Sequence, residues 1–126
     1  MKKVVLTSEA PAPIGPYSQA IAMGNLLFCS GQIALNPQTN QVQGDNVQSQ
    51  TEQVMKNIQG LLKAEGLGFQ NVVKTTIFLT SMDDFTKVNE IYAQYFKEAP
   101  PARSTVAVAG LPKGVKVEIE VIAARS

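Results

Sequence analysis

The sequence predicts an α+β fold, a sheet of about six strands with two helices on one face, in the order β-β-β-α-β-α-β-β. Two stretches carry apolar residues at helical spacing: Val47, Val54, Ile58, Leu61 and Leu62, then Phe85, Val88, Tyr92, Tyr95 and Phe96. From Val115 to Val121 apolar residues alternate with Lys116, Glu118 and Glu120, the period of a half-buried strand. The 126 residues suit a single domain, residues 1–126, large enough to bury a core without a disulfide or metal.

The elements follow in order. Val4 to Leu6 reads as a short first strand. Ala10-Pro11-Ala12-Pro13-Ile14-Gly15-Pro16 is then a stiff, extended connector, because proline fixes its own φ and biases the residue before it away from helix. Gln19 to Met23 and Leu26 to Ser30 form a hairpin around Gly24-Asn25, a tight-turn pair. After the polar loop around Asn36-Pro37, Asp45 or Asn46 caps the first helix, and Gly66 and Gly68 end it. Val72 to Leu79, rich in β-branched residues, reads as a strand covered on both faces. The second helix starts between Ser81 and Asp84 and runs until Pro100-Pro101 stops it. Ser104 to Ala109 is the next strand, followed by a turn over Gly110 to Gly114.

Two helices on one face leave the other face of the sheet open. In the last strand that face carries Lys116, Glu118, Glu120 and Ile122, a mixture that favours association with another chain. An oligomer is expected.

Composition removes several chemistries. Without histidine there is no Ser-His-Asp triad, no Cys-His pair and no histidine-ligated metal. Cys29 is the single cysteine, so there is no internal disulfide or multi-cysteine zinc site; it reads as a small buried hydrophobe. A net charge of +1 provides no strong field for nucleic acid or an anionic membrane. The apolar run at the N-terminus is too short for a signal peptide, and no stretch approaches the roughly 20 residues of a membrane span. A cytoplasmic protein is expected.

Five places could bear chemistry. Arg103 leaves the stiff segment Pro100-Pro101-Ala102, and its planar guanidinium fits a carboxylate by two parallel hydrogen bonds. Taken alone, it reads first as half of a salt bridge at a strand end. Glu118 and Glu120 share a strand face about 7 Å apart, which suits either an acid/base pair or an ordinary solvated face. Ser30-Gly31 ends a strand, where glycine admits a ligand to the backbone or marks a bulge. Asn89 on the second helix and Tyr17 behind the proline-rich connector have structural readings as well. No nucleotide motif is present.

Together these segments resemble a known family. Ile14-Gly15-Pro16-Tyr17-Ser18-Gln19, Ser30-Gly31-Gln32-Ile33, Lys74-Thr75-Thr76, Asp84-Phe85 with Val88-Asn89, Pro101-Ala102-Arg103-Ser104, Leu111-Pro112 and Val117-Glu118-Ile119-Glu120 stand in this order. The chain resembles, over essentially its whole length, the Rid family and within it the reactive intermediate deaminase A group of enamine/imine deaminases.

The resemblance implies a chorismate-mutase-like fold with a mixed sheet, and a homotrimer with sites in the clefts between subunits. It implies hydrolysis of 2-imino acids, formed from enamines such as 2-aminoacrylate, to 2-oxoacids and ammonia, with no cofactor and no metal. Carried over by position, Arg103 would bind the substrate carboxylate and Glu118 would hold or polarise the attacking water. Tyr17, Ser30, Gly31, Asn89 and Thr105 would contact or enclose the substrate. Close relatives often have cysteine where Thr105 stands, a departure that bears on any thiol-dependent side activity. The family also carries a label as a translation-inhibiting endoribonuclease, so an RNA-directed protein is one alternative and a small-acid-binding trimer without turnover is another. The absence of histidine and of a basic run with interleaved aromatics disfavours RNA.

Overall fold

A computed structural model describes all residues, Met1–Ser126, as one sheet backed by two helices. The strands are β1 (Lys3–Val5), β2 (Ala20–Met23), β3 (Leu26–Gln32), β4 (Val72–Leu79), β5 (Ala102–Ala107) and β6 (Val117–Ala124). The helices are α1 (Val47–Ala64) and α2 (Phe85–Tyr92). The sheet runs β1-β2-β3-β6-β4-β5; β4 and β5 are parallel and every other pair is antiparallel, so the sheet is mixed. This is the α+β arrangement the sequence predicts, in the predicted order.

Local chemistry accounts for the boundaries. Gly24 takes a φ of 59° at the first turn position of the β2–β3 hairpin, where a type II′ turn requires a positive value. Asn46 caps α1 by accepting from the Ser49 N–H at 2.8 Å, while its own N–H donates to Ser49 Oγ. At the other end Gly66 enters the left-handed region, and the N–H groups of Gly66 and Leu67 close back on Lys63 and Leu62. That is a Schellman stop, with Leu67 beside Leu62.

The core lies between sheet and helices. Val54, Ile58, Leu61 and Leu62 of α1 meet Leu27, Ile77, Ile119 and Val121 of the sheet, all of them buried. Each fully buried aliphatic side chain of this kind contributes about 1.5–3 kcal/mol. Three buried amides lock the loops onto this core. Gln19 on the β2 approach donates to the carbonyls of Thr7, Ala10 and Pro11 and accepts from the Thr7 N–H. Asn57 of α1 donates to the carbonyls of Ile33 and Leu35, and Gln50 accepts from the Lys116 N–H.

Several boundaries differ from expectation. The first strand is Lys3–Val5 instead of Val4 to Leu6. Strand β4 is covered on one face only: Thr75, Ile77 and Leu79 are buried, whereas Lys74, Thr76 and Phe78 lie towards the open face. Helix α2 stops at Tyr92, because the N–H groups of Gln94, Tyr95 and Phe96 bond three residues back in tight turns. The aromatic spacing survives those turns, which is why the pattern extends past the helix. Strand β5 begins at Ala102 and ends at Ala107, as its ladder with β4 dictates. Strand β6 begins at Val117, after a 3-10 turn over Pro112–Gly114.

Candidate active site

Arg103 stands on the edge strand β5, directly opposite Thr75 in the parallel ladder, and so leaves the sheet on the helix face. Its Nη1 donates to Asn89 Oδ1 at 2.7 Å, and its guanidinium carbon lies 5.5 Å from the Phe85 ring centre and 5.0 Å from that of Tyr92. All three partners come from α2, at spacings that place them on one side of the helix. The salt bridges of the chain are Lys3–Glu65, Lys63–Glu9 and Arg125–Glu65. Arg103 is in none of them, so the strand-end ion pair that its position suggested does not form. Its charge is held by a neutral amide and aromatic faces and is not neutralised.

Thr105 lies two residues further along β5 and on the same side, opposite buried Ile77. Its hydroxyl is buried and has no hydrogen-bond partner within the chain.

Tyr17, Ser30, Gly31 and Glu118 line a different cavity, a groove of about 550 Å³ shared with Glu120 and Lys113. A bulge makes this groove. Between Cys29, paired with Val121, and Gln32, paired with Ile119, β3 has one residue more than β6. Gly31 sits in that bulge with its backbone outside the left-handed region, so it is glycine for space alone. A Cβ there would collide with the Glu118 carboxylate. Ser30 Oγ donates to the Ser18 carbonyl at 2.6 Å, which ties the bulge to the segment carrying Tyr17. The Tyr17 side chain itself is half exposed.

Burial raises the Glu118 pKa above the ordinary glutamate value, and the neighbouring Glu120 carboxylate raises it further. Cys29 is buried and its thiol is pushed up to about 12 by burial, which leaves little thiolate at neutral pH. No group of three or more Cys, Asp or Glu side chains is arranged to hold a metal ion.

The sequence-predicted residues therefore form two halves. Arg103, Asn89 and Thr105 belong to the helix face of the β5 edge; Tyr17, Ser30, Gly31 and Glu118 belong to the groove. Glu118 is paired with Phe78 and alternates with buried Val117 and Ile119, so it leaves the sheet on the open face. Within one chain Arg103 and Glu118 point away from each other. Sequence reasoning missed the aromatic seat, since Phe85 and Tyr92 read as core; their spacing around Asn89 was the available signal. It also missed Gln19, whose partners nothing in the sequence marks.

The open face is apolar in part: Val4, Met23, Phe28 and Val106 are exposed on it or at its rim. No helix of the chain is long and apolar enough to cross a membrane.

Comparison with known proteins agrees with this architecture. The family model described as endoribonuclease L-PSP matches residues 7–125. Reactive Intermediate Deaminase A of Arabidopsis thaliana is 54% identical over 97% of this chain and 65% of its own length. The 2-iminobutanoate/2-iminopropanoate deaminase of Mus musculus is 48% identical over 98% of this chain and 91% of its own. Other relatives carry only a RutC family name or are called a putative regulator. The crystal structure of a putative endoribonuclease from Thermotoga maritima superposes with a TM-score of 0.97, at 48% identity, over 100% of this chain and 99% of that one. By sequence along nearly its whole length, and by fold, the chain belongs to the Rid family, whose sequence model bears the name endoribonuclease L-PSP.

Proposed function

We propose that the chain is a 2-iminobutanoate/2-iminopropanoate deaminase, which hydrolyses reactive imines derived from enamines such as 2-aminoacrylate to 2-oxoacids and ammonia. The observation that carries this reading is the state of Arg103. It is fixed by Asn89 and two aromatic rings and meets no carboxylate, so its charge and its remaining N–H groups are left for an acid. Two relatives named as deaminases support it, one of them for 2-iminobutanoate and 2-iminopropanoate.

In this reading Arg103 anchors the substrate carboxylate. Glu118, with its raised pKa, accepts a proton as water adds to the imine carbon. The imine nitrogen carries a proton, so addition gives a neutral carbinolamine. Glu118 passes its proton to that nitrogen, and as the C–N bond breaks the C=O bond forms and the hydroxyl proton leaves to water, giving ammonia and the 2-oxoacid. One water is consumed and nothing is oxidised or reduced, so the reaction calls for no redox cofactor. Tyr17, Ser30, Gly31 and Thr105 enclose the substrate.

Opposite faces of one sheet cannot converge on one small acid, so the site needs a second copy. A neighbour on the open apolar face would set its Arg103 edge against this chain's Glu118 groove. The family resemblance supports a homotrimer with sites between subunits and a role in removing damaging metabolites, and we place that role in the cytoplasm.

The test generates 2-imino acids with an amino-acid oxidase and traps them with semicarbazide. The wild type lowers semicarbazone formation and Arg103→Ala loses roughly a hundredfold or more of that effect. Identical behaviour of the two proteins defeats the reading. Purified RNA should stay intact; cleavage that depends on Arg103 would favour the ribonuclease alternative.

A further inference from the structure

Arginine on an exposed edge strand has no fixed position of its own, and a ligand that immobilises it must offset the lost rotamer freedom. Arg103 is nevertheless set in place by a chain of contacts leading into the core. Thr75 of β4, directly opposite Arg103, is fully buried, and its hydroxyl shares a 2.7 Å hydrogen bond with the Tyr92 hydroxyl. The Tyr92 ring packs on Phe96 at 4.7 Å and presents a face to the guanidinium, 5.0 Å away. A carboxylate partner would fix the arginine as firmly, but it would consume the charge. A ring face and an amide oxygen hold the group and leave the charge free.

We infer that Tyr92, latched to Thr75, is a positioning residue that presets Arg103 to receive a carboxylate without neutralising it. The inference rests on the proposed role of Arg103 as the substrate anchor. The hydroxyl latch matters separately from the ring, because it stops the platform from turning under the cation.

Three variants test this. Tyr92→Leu removes the platform. Tyr92→Phe keeps the ring, cuts the latch and leaves the Thr75 hydroxyl buried and unpaired. The double variant Tyr92→Phe/Thr75→Val replaces both partners by apolar groups of similar shape, which restores stability where a single change loses it. For enzymatically generated 2-iminopropanoate, Tyr92→Leu should raise KM about tenfold with kcat within about twofold, the signature of lost binding. Tyr92→Phe should lower Tm and raise KM a few-fold. The double variant should regain Tm and keep the raised KM. Relaxation of the Arg103 Nε–H group, followed by ¹⁵N NMR, should show added fast motion in all three.

A double variant whose KM recovers along with its Tm would make Tyr92 merely structural and overturn the inference. An Arg103 Nε as rigid in the variants as in wild type would do the same. If Tyr92→Leu fails to fold, the latch variants carry the test. The NMR measurement needs no turnover, so an inactive wild type counts against the proposed function, while Arg103 mobility still decides this one.

Discussion

The Glu118 carboxylate occupies the volume that a side chain on Gly31 would need: a Cβ there would stand 2.9 Å from Glu118 Cδ and closer still to Oε2. The displaced group is the end of a flexible side chain over an open groove, so Gly31→Ala should fold almost as well as wild type. It should displace the proposed water-holding carboxylate, and misplacement of about 1 Å is enough to cost on the order of a hundredfold. Imine-hydrolysis rates set beside thermal melts check this; parallel losses in both would contradict it.

Glu118 also makes a prediction about pH. Its folded-state pKa is raised, so the native state favours the protonated acid. That contribution is fully present below the ordinary glutamate pKa and is lost as pH rises through the folded value. Glu118→Gln should therefore match wild type near pH 3 and exceed its Tm at pH 7. The gain will be small, because the carboxylate is only about half buried and solvent screens it. Melts across that pH range read the sign directly.

Gly60 inverts a common rule. Glycine to alanine inside a helix ordinarily stabilises by about 1 kcal/mol. Here the backbone carbonyl of Glu9 crosses α1 against Gly60, with its carbon 2.8 Å from where a Cβ would be. Gly60→Ala should destabilise by about 1–3 kcal/mol as the N-terminal segment is pushed off the helix. Denaturant unfolding measures the difference.

Gln19 holds that same segment with its amide. Gln19→Ala removes the partner of three carbonyls and of the Thr7 N–H, and should cost about 2–4 kcal/mol. Hydrogen exchange should show the Thr7 amide losing its protection.

Cys29 should resist alkylation by iodoacetamide at pH 8 in the native protein and react readily once unfolded. The residue is 7% exposed, and burial pushes its thiol up to about 12. Fast labelling of the folded chain would mean that β3 opens locally.

The periodic elements were legible because their signals are local. The stripe from Val47 to Leu62, the Gly24-Asn25 hairpin and the alternation ending β6 each fix their own structure within a few residues. The end of α2 was not, because Tyr92, Tyr95 and Phe96 keep one side through 3-10 turns as they would through a helix. The exposure of one β4 face was hidden by composition: Thr76 and Phe78 suit a covered strand as well as an open one. The candidate site residues were named from their motifs, but their division between two faces was not legible. Whether Arg103 and Glu118 share a face depends on the parallel register of β5 with β4 and the antiparallel register of β6, which no local pattern encodes.

That division has a kinetic consequence under the proposed reaction. When anchor and water-holding carboxylate stand on opposite faces of one sheet, no isolated chain can turn over substrate, however well folded. Specific activity must then fall on dilution below the dissociation constant of the assembly and recover on concentration. Mixing Arg103→Ala with Glu118→Ala chains should give more activity than either variant alone, because some hybrid clefts would receive an intact half from each parent.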